Sequence, residues 1–357
     1  MKKILSIVGA RPQFIKAFVT IKSLNKMKLH NNILLHTGQH FDHDMSEIFF
    51  KELKFNQNLI KISLRNQNNR MLRLSEMLYK INNTINKIKP NIIIIYGDTD
   101  STLVGAIIAR RLNIKLIHIE AGLRSNIIDM PEEQNRVFSD YLSDYLICPN
   151  HHALKNLRNY KDKKIYNFGD VMYDSFNFYR KYIDIKYSKK FKKKYKLPDK
   201  YIFFTIHRDA NSTKLQIKKI LGDISKIEKT FFWPIHPKIK LIIKKNKIKI
   251  PKNIIYCKPL SYLESLAAIK ESIYVITDSG GIQKETYFYR KKCFVLRKET
   301  EWSELIKVNC VKLISNNILT IEKSSKFLNS RLIIKQIFGN GNSTLKIAKL
   351  IKKILKI

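Results

Sequence analysis

Short apolar runs without alternation recur along the chain, each followed by a polar turn and then by a stretch of helical periodicity. Such runs read as buried strands of a parallel sheet, whose two faces are both covered. In the first half they fall at Lys3–Val8, Asn32–His36, Ile92–Tyr96, Lys115–Ile119, Tyr145–Cys148 and Lys164–Phe168. Helices are predicted over Phe14–Leu24, Asp44–Leu53, Leu72–Lys89, Ser101–Leu112 and Asn150–Tyr160. Strand, helix and strand from Ile92 to Ile119 form a right-handed crossover with parallel strands. A long basic helix is expected over Asp174–Lys196, ended by Leu197-Pro198-Asp199. The alternation then restarts, with strands at Tyr201–Thr205, Phe231–Pro234, Ile254–Cys257, Ser272–Thr277, Cys293–Leu296 and Val311–Ile314. Helices are expected from about Thr213, over Leu263–Ile269 and from the turn Asp278–Glu285 onward. A final amphipathic, basic helix covers Thr344–Ile357. At 357 residues the chain is longer than one core usually serves. The expected fold class is α/β, with two doubly wound domains and a cleft between them. The boundary is expected near Gly169, giving domains 1–168 and 169–343, with 344–357 crossing back onto the first.

In such folds chemistry collects where the chain leaves the carboxyl ends of the strands. The first two crossover strands end at Asp98 and Glu120, and the next loop carries Glu132, Glu133 and Arg136, with Arg124 nearby. One such acid alone reads as a helix cap or a solvated side chain. Several acids with two arginines at adjacent strand ends favour function. At Gly9-Ala10-Arg11-Pro12-Gln13, a glycine turn opens a helix flanked by Arg11 and Lys16, a weak anion-site signal. Ser279-Gly280-Gly281 opens another helix, where free backbone N–H groups suit a phosphate. A tight turn that simply needs glycine explains the same residues. Neither stretch has the spacing of a Walker loop or a dinucleotide fingerprint. His36, His40 and His43 with Asp42 match no standard zinc spacing, so a polar loop is the preferred reading there.

Composition changes the picture little. The net charge of +39 raises nucleic acid or an anionic membrane as partners. The excess is lysine spread over the chain, no nucleic-acid motif accompanies it, and the densest run, Lys186–Lys196, reads as a solvated face. No apolar stretch is long enough to span a membrane. The start, Met1–Ala10, resembles a weak signal peptide but lacks a cleavage site. Cys148, Cys257, Cys293 and Cys310 form no paired motif, which suits a reducing compartment. The expectation is a cytoplasmic protein that engages neither nucleic acid nor membrane and needs no NAD or metal.

The motifs in order resemble the non-hydrolysing UDP-N-acetylglucosamine 2-epimerases. They are GARPQFIKA at Gly9–Ala17, TGQH at Thr37–His40, YGDTDST at Tyr96–Thr102 and HIEAGLRS at His118–Ser125. MPEEQNR at Met130–Arg136, GDVMYD at Gly169–Asp174, TIHR at Thr205–Arg208 and PIHP at Pro234–Pro237 come next. TDSGGIQKE at Thr277–Glu285 and FGNGNS at Phe338–Ser343 complete the series. The resemblance implies two Rossmann-like domains of glycosyltransferase-B type and a cytoplasmic homodimer acting on a UDP-sugar without a cofactor. It also implies epimerisation at C2 by loss and return of UDP and a proton, in the service of surface-polysaccharide synthesis. By motif, Asp98, Glu120 and Glu132 are the catalytic carboxylates, and His207 holds or protonates the leaving diphosphate. Arg11, Lys16, Ser279, Gly280 and Gly281 are implied phosphate ligands, Glu285 a ribose ligand, and Tyr262 a stacking partner for uracil. Arg136 matches an arginine beside the acids. Three departures stand out. Ala210 sits where members often carry glutamate. Trp302 replaces the arginine of a TERPE pattern, and the loop Gln39–Met45 differs from the one linked to substrate activation. RPQF and ETEW point towards the branch acting on UDP-2,3-diacetamido-2,3-dideoxyglucuronate, with the Trp302 face expected to pack on the extra acetamido methyl. A glycosyltransferase of the same architecture is the competing reading from another reaction class.

Overall fold

The computed structural model describes residues 2–39, 58–65, 69–315 and 317–357. The reading of His40, Asp42 and His43, and the helix expected over Asp44–Leu53, lie outside the described residues. The chain divides into two compact units, residues 1–178 with 336–357, and residues 179–335.

In the first unit seven parallel strands are present among the described residues. They are β1 (Ile4–Val8), β2 (Asn32–His36), β3 (Leu59–Lys61), β4 (Ile92–Tyr96), β5 (Lys115–Ile119), β6 (Tyr145–Cys148) and β7 (Lys164–Asn167). Their order is β3-β2-β1-β4-β5-β6-β7, so β1 and β4 are neighbours from which the chain winds outward in both directions. Such a switch point opens a crevice at the carboxyl ends of the strands. Ile92–Ile95 on β4 are completely buried, as the run of β-branched residues required. Four helices position the polar groups of this unit: α1 (Arg11–Lys26), α2 (Arg70–Ile88), α3 (Asp100–Arg111) and α4 (Pro131–Leu142). The Asn69 side chain caps α2 by accepting from Met71 N–H at 3.0 Å, and Thr99 and Thr102 form a capping box on α3.

The boundary falls at Phe178, beyond the expected Gly169, and 336–343 belong to the first unit. Asp174 ties the C-terminal segment to this unit. Its buried carboxylate accepts from Ser343 N–H at 3.2 Å, Thr344 N–H at 2.7 Å and Thr344 Oγ1 at 2.8 Å. That caps the C-terminal helix Ser343–Leu355, which packs along α1. The expected long helix over Asp174–Lys196 is broken into Val171–Tyr179, a short 3-10 turn at Arg180–Tyr182, and Ile185–Tyr195. Asp184 restarts it by accepting from Tyr187 N–H at 2.7 Å. On that last segment Phe191 and Ser188 are buried and most of the lysines are exposed, which makes the basic run one face of an amphipathic helix.

The second unit repeats the winding with six strands: β8 (Ile202–Thr205), β9 (Phe231–Pro234), β10 (Ile254–Cys257), β11 (Val275–Thr277), β12 (Cys293–Val295) and β13 (Val311–Leu313). The order β10-β9-β8-β11-β12-β13 puts its switch point between β8 and β11. Phe204, Phe231, Trp233 and Phe294 fill its core.

Gly9, between β1 and α1, is dictated by close approach. A Cβ there would lie 2.0 Å from Ser101 Oγ and 2.7 Å from Thr37 Oγ1. Ser101 Oγ cannot retreat, because Thr37 Oγ1 and Gln39 Oε1 each hold it at 2.6 Å. Gly9→Ala is therefore expected to destabilise the first unit by about 1–3 kcal/mol, as overpacking does, read as a lower denaturant midpoint at unchanged slope.

Candidate active site

The first unit gathers charge at the ends of β4 and β5. Gly97 and Glu120, the residues immediately after these strands, both take left-handed backbone conformations, with φ of +64° and +74°. For a glutamate this is strained and marks a position where the turn is over-determined. A Cβ on Gly97 would lie 3.4 Å from Glu120 Oε2, so the Glu120 carboxylate lies against the residue preceding Asp98. Glu120 is ion-paired with Lys16, whose side chain is only 5% exposed. The lysine predicted to hold a phosphate is thus engaged by an acid. Asp98 is ion-paired with Arg136 and remains partly exposed. The same guanidinium reaches Glu133 Oε2 at 3.0 Å.

Residues 131–136, read as loop, form the first turn and a half of α4, with Pro131 at its start. The helix phase separates the two adjacent glutamates. Glu133 is buried, accepting from Ser125 N–H at 2.8 Å and Ser125 Oγ at 2.9 Å, whereas Glu132 is exposed. Burial raises the Glu133 carboxyl, but the Ser125 hydrogen bonds and Arg136 outweigh it and hold it below the ordinary value. Asp100, the second aspartate of the YGDTDST stretch, is structural. Arg70 at 2.6 Å, Arg73 at 3.1 Å and Asn135 at 3.1 Å converge on it. Burial pushes its carboxyl up, and these partners more than reverse that.

Gln13 organises the switch point, a role the motif GARPQF did not disclose. Its Oε1 accepts from the N–H groups of Gly9 at 2.7 Å and Ala10 at 3.1 Å. Its Nε2 donates to the Tyr96 carbonyl and, at 2.9 Å, to Thr102 Oγ1. The turn after β1 is thereby tied to the turn after β4. Arg11 is half-buried at the first position of α1. His36, one of the histidines considered for a metal, is buried and stacks on Phe14 at 4.8 Å. The described residues contain no cluster of metal-ligating side chains.

In the second unit His207 lies just beyond β8 and Asp278 just beyond β11, the two strands at its switch point. Asp278 Oδ1 meets His207 Nδ1 at 2.8 Å. The carboxylate also accepts from His207 N–H at 3.0 Å, Arg208 N–H at 3.0 Å and Asn211 Nδ2 at 3.0 Å. Burial would raise the Asp278 carboxyl, but His207 and the other donors bring it down to about 2. The imidazole itself is 43% exposed, a ring fixed at one nitrogen and open at the other edge. Sequence reasoning missed Asp278 as a partner of His207. The available signal was an aspartate directly after a buried strand.

Ser279 precedes the helix Gly280–Phe288, and a Cβ on Gly281 would meet only Ser279 Oγ, at 3.9 Å. A Cβ on Gly280 would lie 2.2 Å from Glu301 Oε1, which explains the first glycine. Glu301 is held there by Arg297 at 2.7 Å. Glu285 lies on the same helix and is buried. Two side chains expected to touch substrate are buried. Trp302 is 2% exposed and Lys284 Nζ sits 4.2 Å from its ring centroid, so a cation covers one face of the ring. Tyr262 is also 2% exposed, packed edge-on against Tyr179 at 5.2 Å.

Each unit is thus a Rossmann-like α/β domain with a parallel sheet flanked by helices and polar groups at its switch point, two such domains in one chain being the make-up of the glycosyltransferase-B-like fold. The family model for UDP-N-acetylglucosamine 2-epimerase matches residues 22–352. The chain belongs to that family and is an isomerase of nucleotide sugars. A UDP-N-acetylglucosamine 2-epimerase homolog of Methanococcus maripaludis is 37% identical over 99% of this chain and 100% of its own length. The UDP-2,3-diacetamido-2,3-dideoxy-D-glucuronate 2-epimerase of Pseudomonas aeruginosa is 36% identical over 99% and 100%. Among solved structures, the Methanocaldococcus jannaschii UDP-GlcNAc 2-epimerase in complex with UDP-GlcNAc and UDP superposes with a TM-score of 0.88. It is 32% identical, covering 99% of both chains. Family membership sets the glycosyltransferase reading aside.

Proposed function

We propose that the enzyme inverts C2 of UDP-N-acetylglucosamine to give UDP-N-acetylmannosamine, for surface-polysaccharide synthesis. The observation that carries this is the pair of carboxylates after neighbouring parallel strands, Asp98 and Glu120, each held by its own cation. An elimination needs a group to take the C2 proton and a group to support the departing diphosphate. A carboxylate removes the C2 proton, the C–H electron pair becomes the C1–C2 double bond, and the C1–O bond breaks to release UDP. Return of UDP to C1 and of a proton to the opposite face of C2 completes the inversion. Asp98, Glu120 and the exposed Glu132 are assigned to the proton steps, with Arg136 fixing Asp98. His207, oriented by Asp278, and the helix start at Ser279, Gly280 and Gly281 are assigned to the diphosphate in the second unit, and Arg11 is assigned to a phosphate in the first. Glu285 is assigned to the ribose. Lys16 acts through Glu120.

The test is an NMR assay of the purified enzyme in deuterated water with UDP-N-acetylglucosamine and with UDP-2,3-diacetamido-2,3-dideoxyglucuronate. Turnover of the first with deuterium at C2 is expected. Retention of the original hydrogen would overturn the elimination. Turnover of the second sugar alone would favour the other substrate. That second reading is supported by the 36% identical Pseudomonas aeruginosa relative.

The reading includes a homodimer. Its support is the large apolar side chains left exposed on the first unit, Met71, Leu72 and Tyr79 on α2 and Phe138 and Tyr141 on α4. A cytoplasmic location is part of the same proposal, supported by four free cysteines. No helix among the described residues is long and apolar enough to cross a membrane.

A further inference from the structure

We infer that His118 is a positioning residue for this reaction: a buried ring, protonated on both nitrogens, that holds the Gly97 carbonyl and thereby the aim of Asp98. The inference rests on the epimerase reading for its kinetic consequence, but its geometry stands apart from any substrate.

His118 lies on β5 and is fully buried, as is Asp140 on α4. Its Nδ1 is 2.7 Å from Asp140 Oδ1, and its Nε2 is 2.8 Å from the Gly97 carbonyl oxygen. A carbonyl oxygen only accepts, so Nε2 carries a proton. Asp140 Oδ2 accepts from Gly122 N–H at 3.1 Å and faces the Arg124 guanidinium at 2.7 Å. The guanidinium charge against Oδ2 favours the ionised acid, which puts the proton between ring and acid on Nδ1. Opposite an ionised Asp140, a neutral imidazole with its one N–H cannot serve both contacts. The buried cation is tolerated because the Asp140 carboxylate touches it. Cys148, which faces Asp140 and Arg124, has its thiol pushed up to about 12, chiefly by burial and then by Asp140, so it adds no charge.

The consequence falls on one peptide. Gly97 N–H donates to the Ile119 carbonyl at 3.0 Å, while its own carbonyl is held by His118. Both sides of a left-handed glycine are thereby pinned to β5 and its side chain. The next residue is Asp98. Losing the Nε2 contact frees the Gly97–Asp98 peptide to rotate and swings the Asp98 carboxylate away from its position on Arg136. A reacting group misplaced by about 1 Å costs on the order of 10²-fold in rate.

Two substitutions separate the two contacts. Asparagine at 118 reproduces a donor near Nδ1 and leaves the Gly97 carbonyl unserved, whereas glutamine places its amide near Nε2. His118→Asn is expected to lower kcat by about 10- to 100-fold with KM changed far less, and His118→Gln to recover most of that loss. Equal impairment of both variants, or normal turnover in both, would overturn the role. The charge state is read on the unmodified protein by ¹⁵N NMR with histidine ring labelling at neutral pH. Both ring nitrogens of His118 should show directly bonded protons, and a bare nitrogen at either position overturns the inference even if neither variant folds. If the unmodified enzyme turns over neither sugar, the substrate reading fails while the ring-nitrogen result still decides the charge state.

Discussion

Asp98→Asn is expected to lower turnover at least ~100-fold with little loss of stability, because it removes a proton-transfer group without removing a structural one. The stability half derives from its surroundings. The Asp98 side chain is 30% exposed, and its partner Arg136 keeps a second carboxylate, Glu133, at 3.0 Å. Glu120→Gln should cost as much in turnover but behave differently in a denaturant. Lys16 is 5% exposed, and Glu120 is the acid paired with it in the structure. Stranding a buried ammonium typically costs about 3–5 kcal/mol, so this variant should also unfold at clearly lower denaturant. Steady-state kinetics with circular dichroism on both proteins checks the pair. Near-normal turnover in Asp98→Asn would return that residue to a helix-flanking role.

Asp278→Asn should be the most destabilising change in the second unit and should also slow the reaction. The carboxylate is fully buried and accepts from two backbone N–H groups, the Asn211 amide and the His207 ring. An amide there turns one acceptor into a donor facing donors, at a cost of about 3–5 kcal/mol. The pH dependence has a definite sign. The folded carboxyl titrates at about 2, below the ordinary aspartate value of 3.8. Its contribution is therefore complete above about pH 4 and is lost as pH falls towards 2, a difference of about 2 kcal/mol. Denaturant midpoints at pH 7, 4 and 2.5 should show this loss in the parent protein and a smaller one in Asp278→Asn. Equal acid sensitivity in the two would exclude the clamp. In kinetics, the freed His207 should lower kcat more than it raises KM.

Much of this was legible in the residues, and the failures have physical causes. The apolar runs located every described strand except β3, which is short and half-exposed and therefore carries no buried pattern. Glycines after strands, Gly9 in the first unit and Gly280 in the second, marked two helix starts. The adjacent glutamates were a different matter. Reading 131–136 as loop concealed that a helix turns successive side chains by about 100°, which sends Glu133 into the protein and leaves Glu132 outside. Trp302 was expected to offer its face to the substrate, and the contact the sequence did not disclose is Lys284, many residues earlier, against its ring.

What the chain alone determined is local: the hydrophobic period, the turn residues, and the concentration of acids after Ile92–Tyr96 and Lys115–Ile119. What the tertiary structure decided is pairing. Asp278 meets His207 across 71 positions only because β8 and β11 are neighbours in their sheet. Likewise Glu120 meets Lys16, and His118 meets both Asp140 and Gly97, because parallel strands bring distant turns to one edge. Periodicity reports which face of an element is buried. It carries no record of which other element lies against that face, and ionised groups take their roles from that neighbour.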